Sequence, residues 1–257
     1  MDNDDKQVGQ ILNRRDALKI LGIGSAAALL AACAPKLATE TLSPTSTTPA
    51  TQVLTEATAA NTAIPMCVVR PELSEGPYFV DEMLNRSDVR SDPSDGSVSE
   101  GAEFKLAFNV SQVNSNGCVP LSGAQVDIWH CDAYGVYSDA QDRNFNTVGK
   151  KFLRGYQVTD ANGLAQFVTI YPGWYDGRAV HIHFKIRVNN YEFTSQLFFD
   201  DTFTDQVYLQ EPYAQKGERN PRNDGDNIYR NGGSQLVLNV TPDGTGYTAN
   251  FDIGVQI

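Results

Sequence analysis

The sequence predicts an all-β fold for residues 67–257, a β-sandwich with long loops closing one end and little helix. Three observations carry this. Short segments rich in β-branched and aromatic residues recur along the stretch. Turn signals separate them, at Asn114–Gly117, Asp160–Gly163, Asn189-Asn190 and Asp243-Gly244. No long segment places apolar residues at the 3.6-residue period of an amphipathic helix.

Each element is delimited by its bounding turn. Glu103–Val113 ends at the first turn, and Gln125–Trp129 lies beyond it. Phe152–Val158 stops at Asp160–Gly163, after which Leu164–Ile170 begins. His181–Val188 and Glu192–Phe199 flank Asn189-Asn190, while Gln235–Val240 and Tyr247–Ile253 flank Asp243-Gly244. Asp200–Gln215 reads as a short helix or an irregular loop, with Asp200-Asp201 solvated. Short strands with frequent turns suit a sandwich.

The rest of the chain reads differently. Residues 1–33 form an export signal: Arg14-Arg15 precede the uncharged run Ile20–Ala32. As a helix that run reaches about 20 Å, short of the ~30 Å hydrocarbon core. The paired arginines resemble a twin-arginine signal, and Leu30-Ala31-Ala32-Cys33 resembles a bacterial lipobox that leaves Cys33 lipidated. Residues 34–66, rich in Thr, Ala, Ser and Pro, form a flexible tether.

Charge and cysteines narrow the function classes. There are 31 Asp and Glu against 20 Lys and Arg, a formal charge of −11. Nucleic acid and anionic membrane surfaces are poor partners for such a chain, so membrane contact is expected only through the lipid anchor. With Cys33 modified, Cys67, Cys118 and Cys131 remain. Cys118 and Cys131 are separated by a turn and a strand that alone spans more than roughly 20 Å, beyond disulfide reach. The expected bridge joins Cys67 to Cys118 or Cys131; three reduced thiols are the other reading.

Chemistry concentrates between Trp129 and Gln196. In a strand, residues i and i+2 share a face, so His181 and His183 present two imidazoles to one metal. Tyr175 and Arg178 arrive on the loop just before them, and Gly135-Val136-Tyr137 comes after the strand ending at Trp129. Tyr134 is the rival to Tyr137 and lacks its Gly-x-Tyr context. His130 reads as a surface or packing residue, and Asp132 and Asp176 as turn formers. A phenol titrates near pH 10, so its use as a ligand at neutral pH demands a strongly Lewis-acidic ion. Ferric iron meets that demand better than zinc or ferrous iron, and such a centre attracts a chelating diolate.

Six stretches carry a resemblance. They are Glu75-Gly76-Pro77-Tyr78, Asp127–Asp132, Gly135–Ser138, Pro172–Arg178, His181-Ile182-His183 and Ser195–Phe199. In this order the chain resembles the intradiol ring-cleavage dioxygenases over residues 67–253, in particular the secreted single-chain branch. The resemblance implies one Fe(III) per chain, held by Tyr137, Tyr175, His181 and His183, acting on a small aromatic diol and O2. Tyr175 would be the ligand displaced by substrate. Arg178 and Gln196 would line the pocket and steer charge, with Tyr78 and Trp129 as substrate-facing walls. The helical dimerisation region of catechol-specific members has no counterpart here, and the Tyr175-to-Arg178 loop lacks the insertion of protocatechuate members.

Overall fold

The computed structural model describes residues 68–115 and 117–257. The expected export signal with Cys33, and the expected tether, lie outside the described residues. Among the described residues no helix is long and apolar enough to cross a membrane.

Among the described residues nine strands make two sheets. The first is built on β1 (Glu103–Asn114). It pairs antiparallel with β2 (Gly117–Pro120) and β5 (Leu164–Ile170), and in parallel with β9 (Gly246–Val255), which carries β8 (Thr241–Asp243). The second sheet is antiparallel, in the order β4 (Arg154–Val158), β3 (Gln125–Trp129), β6 (His181–Val188) and β7 (Tyr191–Phe198).

Side-chain alternation closes the sandwich. On β1, Phe104, Leu106, Phe108 and Val110 are all buried; on β6, Ile182, Phe184 and Ile186 are. Phe108 and Phe184 meet across the gap with centroids 5.3 Å apart, and Phe251 of β9 packs on both, at 5.8 and 5.5 Å. Burial of these aromatic rings dominates the core.

The helical content is short. Asp200 caps α1 (Asp201–Val207) by accepting from the Phe203 amide, and Asp201 pairs with buried Arg219. Asp200-Asp201 is therefore a structured helix start and not the solvated loop its composition suggested. Asp226 caps α2 (Asn227–Arg230).

Gln235–Val240 departs from its expected strand. Gly233–Gln235 is a 3-10 turn, and the segment beyond it makes a single parallel bridge, Val237 to Phe198. Leu236 and Leu238 are buried as a strand pattern demands. Beyond the 3-10 turn bond from the Leu236 amide to the Gly233 carbonyl, their backbone bonds go to Phe198, so no ladder develops among the described residues. The four-residue β2 is too short to stand out in the sequence from the turn before it. Cys118 is disulfide-bonded to a partner outside the described residues, whereas Cys131 is a buried free thiol.

Candidate active site

Both faces of β6 are covered, for different reasons. Its even-numbered residues join the core. Its odd-numbered residues, His181 and His183 first, point away from it, under the loops beyond β3 and β5. Register then sets a row across the sheet: Trp129 of β3 opposite His183, and His183 opposite Gln196 of β7. All three side chains are buried.

Two loops bring the tyrosines. Asp132 shapes the first by accepting at Oδ1 from the amides of Tyr134 and Val136, both at 2.9 Å, the turn-forming role read from its position. The second loop, residues 171–180, touches the first through bare backbone. Gly135 has a φ of +85°, and a Cβ there would lie 2.2 Å from the Trp174 carbonyl oxygen; one on Gly173 would lie 2.4 Å from those of Ala133 and Asp132. Lys216 completes the clamp: its ammonium donates to the carbonyls of Tyr134 and Trp174 and sits over the Trp174 ring.

The four predicted ligands converge on one atom. His181 Nδ1 lies 2.6 Å from the Ala179 carbonyl, which can only accept, so Nδ1 carries the proton and Nε2 presents its lone pair. Around that Nε2 stand His183 Nε2 at 3.0 Å, the Tyr137 hydroxyl at 3.3 Å and the Tyr175 hydroxyl at 3.4 Å. Burial, then the nearby Arg178 guanidinium, pushes both imidazoles well below their ordinary range, so both are neutral donors. Burial, and then Tyr175, pushes Tyr137 well above its ordinary value.

This donor set fits a cation. Among the described residues no group of three His, Cys, Asp or Glu gathers, so the phenols are needed to complete a ligand set. Two phenol oxygens and a second imidazole nitrogen within hydrogen-bond range of His181 Nε2, buried where a free phenolate is penalised, are what a hard, highly charged ion would satisfy.

The other residues singled out in the sequence lie around this cluster, Trp129 buried within it rather than open as a wall. The Tyr78 ring stacks on Tyr137 at 4.3 Å and meets Tyr175 edge-on at 6.2 Å, and its hydroxyl donates to Asp142 at 2.7 Å. Trp129 lies against His183 and Phe79. Arg178 donates from Nη2 to Gln196 Oε1 and from Nη1 to the Tyr175 hydroxyl at 3.5 Å. Tyr134 stays outside the cluster, 40% exposed, with its hydroxyl toward Glu100. Of the two readings for His130, packing holds: it is buried, with its ring nitrogens on Thr169 Oγ1 and the Cys131 carbonyl.

The family described as "Dioxygenase" matches residues 74–220, more than half of the chain and a span that holds both tyrosines, both histidines, Arg178 and Gln196. An intradiol ring-cleavage dioxygenase from Tetranychus urticae shares the fold at a TM-score of 0.65 and 31% identity, over 74% of this chain and 95% of its own. This chain belongs to the intradiol ring-cleavage dioxygenase family.

Other members of the family align with this chain as well. The dioxygenase domain of a dioxygenase–carbohydrate-binding fusion from Streptomyces sp. SirexAA-E aligns over 74% of this chain and 99% of its own, at 27% identity and a TM-score of 0.53. The chlorocatechol 1,2-dioxygenase of Pseudomonas putida is 29% identical over 99 residues, which is 31% of this chain and 36% of that protein. The chain spans little more than a third of the length of the curated relatives it matches.

Sequence reasoning missed the supporting residues of the site. Ser74 accepts at its carbonyl from Gln196 Nε2 at 2.7 Å. Buried Arg154 donates to the Tyr78 carbonyl and to Ser138, next to Tyr137. Lys216 and Asp226 reach the site from the far side of α1. Only Asp226 left a local signal, as an Asp just before a short helical stretch.

Proposed function

We propose that this protein is an Fe(III)-dependent intradiol dioxygenase that cleaves a catechol-type diol with O2 to a cis,cis-muconate-type diacid. The convergence of Tyr137, Tyr175 and His183 on His181 Nε2 carries the reading. Tyr137, Tyr175, His181 and His183 would hold the iron. When bound, it supplies a Lewis acid that draws both diol oxygens and activates the ring toward O2.

The protein's own groups divide the remaining work. Tyr175 is half-buried where Tyr137 is enclosed, so Tyr175 is the phenol able to move and accept a proton from the diol. Arg178 places a guanidinium beside the Tyr175 hydroxyl, with the Gln196 carboxamide bonded behind it, where negative charge would develop as the ring is attacked. Tyr78 offers its ring to an aromatic substrate, and Trp129 backs His183.

The test is metal analysis and a visible spectrum of the purified protein, with oxygen uptake and product analysis on catechol. One ferric ion per chain and ring-opened diacid are expected. Iron or ligand binding without oxygen uptake would favour a non-catalytic metal- or phenol-binding lipoprotein. Stoichiometric zinc would favour a hydrolase using a metal-bound water.

We further propose an extracytoplasmic location, with export through Arg14-Arg15 and anchoring through lipidated Cys33. The tether of residues 34–66 would hold the catalytic domain off the membrane.

A further inference from the structure

Arg178 is a flexible side chain in a position where a small displacement matters, and one buried group decides where it points. Asp226 is 1% exposed. Its Oδ2 accepts from Arg178 Nε at 3.0 Å and from the Ala179 amide at 2.8 Å. Its Oδ1 accepts from the amides of Ile228 at 2.7 Å and Tyr229 at 3.3 Å. Both oxygens are thus committed, one to the start of α2 and one to the site loop.

The guanidinium is a rigid fork, so pinning Nε fixes the direction of both terminal nitrogens. Nη2 is then aimed at Gln196 Oε1, and Nη1 at the Tyr175 hydroxyl. Gln196 is held from its other end, because Nε2 donates to the Ser74 carbonyl. Its carboxamide is thereby oriented, oxygen toward Arg178 and nitrogen toward Ser74. The same carboxylate of Asp226 grips Ala179, whose carbonyl sets the His181 tautomer.

We propose that Asp226 is a positioning residue for ring cleavage, its carboxylate fixing the Arg178 guanidinium against Gln196 and Tyr175. The inference rests on the proposed dioxygenase activity. Asp226 lies 48 residues from Arg178 and outside residues 74–220, so none of the site's sequence motifs points to it.

The test is Asp226→Asn in the full, iron-loaded chain. Asn keeps a cap oxygen for α2 and turns an amide, which cannot accept, toward Arg178. Iron content should stay near wild type, while the melting temperature should fall because a buried ion pair is broken. The kcat on catechol should fall roughly 10- to 100-fold, with KM changing less than about threefold. The visible band of the 4-nitrocatechol complex should shift, a readout independent of turnover. In an Arg178→Gln background, Asp226→Asn should add no further loss, because Asp226 acts through Arg178. Wild-type kinetics in Asp226→Asn, or full additivity in the double variant, would overturn the inference. Asp226→Ser, which also keeps a cap oxygen, is the second variant. If neither folds, the residue serves the fold and the inference fails. A wild-type protein without iron or turnover would overturn the dioxygenase reading and this inference with it; an active wild type with an unaffected Asp226→Asn overturns this inference alone.

Discussion

The Trp129 indole lies flat on the His183 imidazole, with centroids 5.0 Å apart and planes within 7°. Among the described residues His183 Nδ1 is buried without a hydrogen-bond partner, unlike His181, whose Nδ1 is held by a backbone carbonyl. Stacking therefore does for His183 what a hydrogen bond does for His181. Trp129 Nε1 also has no partner, so the indole contributes its face and its volume.

Trp129→Phe should accordingly keep the fold and most of the metal, since it removes no hydrogen bond. Trp129→Ala should cost about 3–5 kcal/mol of stability and weaken metal retention, because the cavity frees His183 to rotate. Denaturant unfolding and metal content of both variants check this. Equal metal retention in the two would show that the stack does not orient the ring.

Removal of iron should bleach the protein. Phenolate-to-ferric charge transfer predicts a red to burgundy colour, shifted by catechol. His181→Ala and His183→Ala should each lose iron and colour while leaving far-ultraviolet dichroism unchanged, because the core is built from the other face of β6. A colourless wild type carrying zinc would sink the iron assignment.

The two tyrosines should separate by variant. Tyr137 is 1% exposed and Tyr175 only half-buried, so Tyr175 is the one with room to leave. Tyr175→Phe should keep some iron and colour but slow substrate binding, because the departing base is gone. Tyr137→Phe should abolish the colour that persists in the catechol complex. Spectra with and without catechol, beside oxygen uptake, decide; wild-type turnover by Tyr175→Phe would reverse the roles.

Acid should weaken the fold through His130. Burial pushes its pKa down to about 4 from 6.5, opposed by its bond to the Cys131 carbonyl. Between those values the unfolded chain binds the proton that the folded chain refuses. The stability is full above pH 6.5 and is lost as pH falls toward 4. His130→Gln should be less stable than wild type at pH 7, and the gap should narrow by about 2–3 kcal/mol at pH 4.5. Urea unfolding at the two pH values measures it. A constant gap would mean that His130 is not the titrating group.

Location is tested at the other end of the chain. Cys33→Ser should move the protein from the membrane to the soluble fraction with activity intact, and Arg14-Arg15 to Lys-Lys should block export. Membrane retention of Cys33→Ser would exclude lipidation at that residue.

What the sequence disclosed was local and periodic. His-x-His placed two imidazoles on one face because a strand repeats every two residues, and register then delivered Gln196 and Trp129 to either side. Glycine spacing pointed to Tyr137 over Tyr134. The same logic failed at Gln235–Val240, where alternation is real but a single bridge to Phe198 is all the pairing it finds. It failed too for Asp226, Lys216 and Ser74, whose partners come from contacts 42 to 122 residues apart in the chain. A buried carboxylate and a surface one look alike until the fold brings a guanidinium to meet it.

At Gly135 and Gly173 the loops bearing Tyr137 and Tyr175 pass within backbone distance of each other. The spacing of the two phenols is thereby set by the thickness of two peptide planes rather than by side chains that could be exchanged. Diversification aimed at new aromatic substrates should spare these two positions and draw its variety from Tyr78, Asp142 and Phe145, where ring contacts and a side-chain hydrogen bond line the approach. A library that varies the glycines would be sampling misassembled metal sites, not altered specificity.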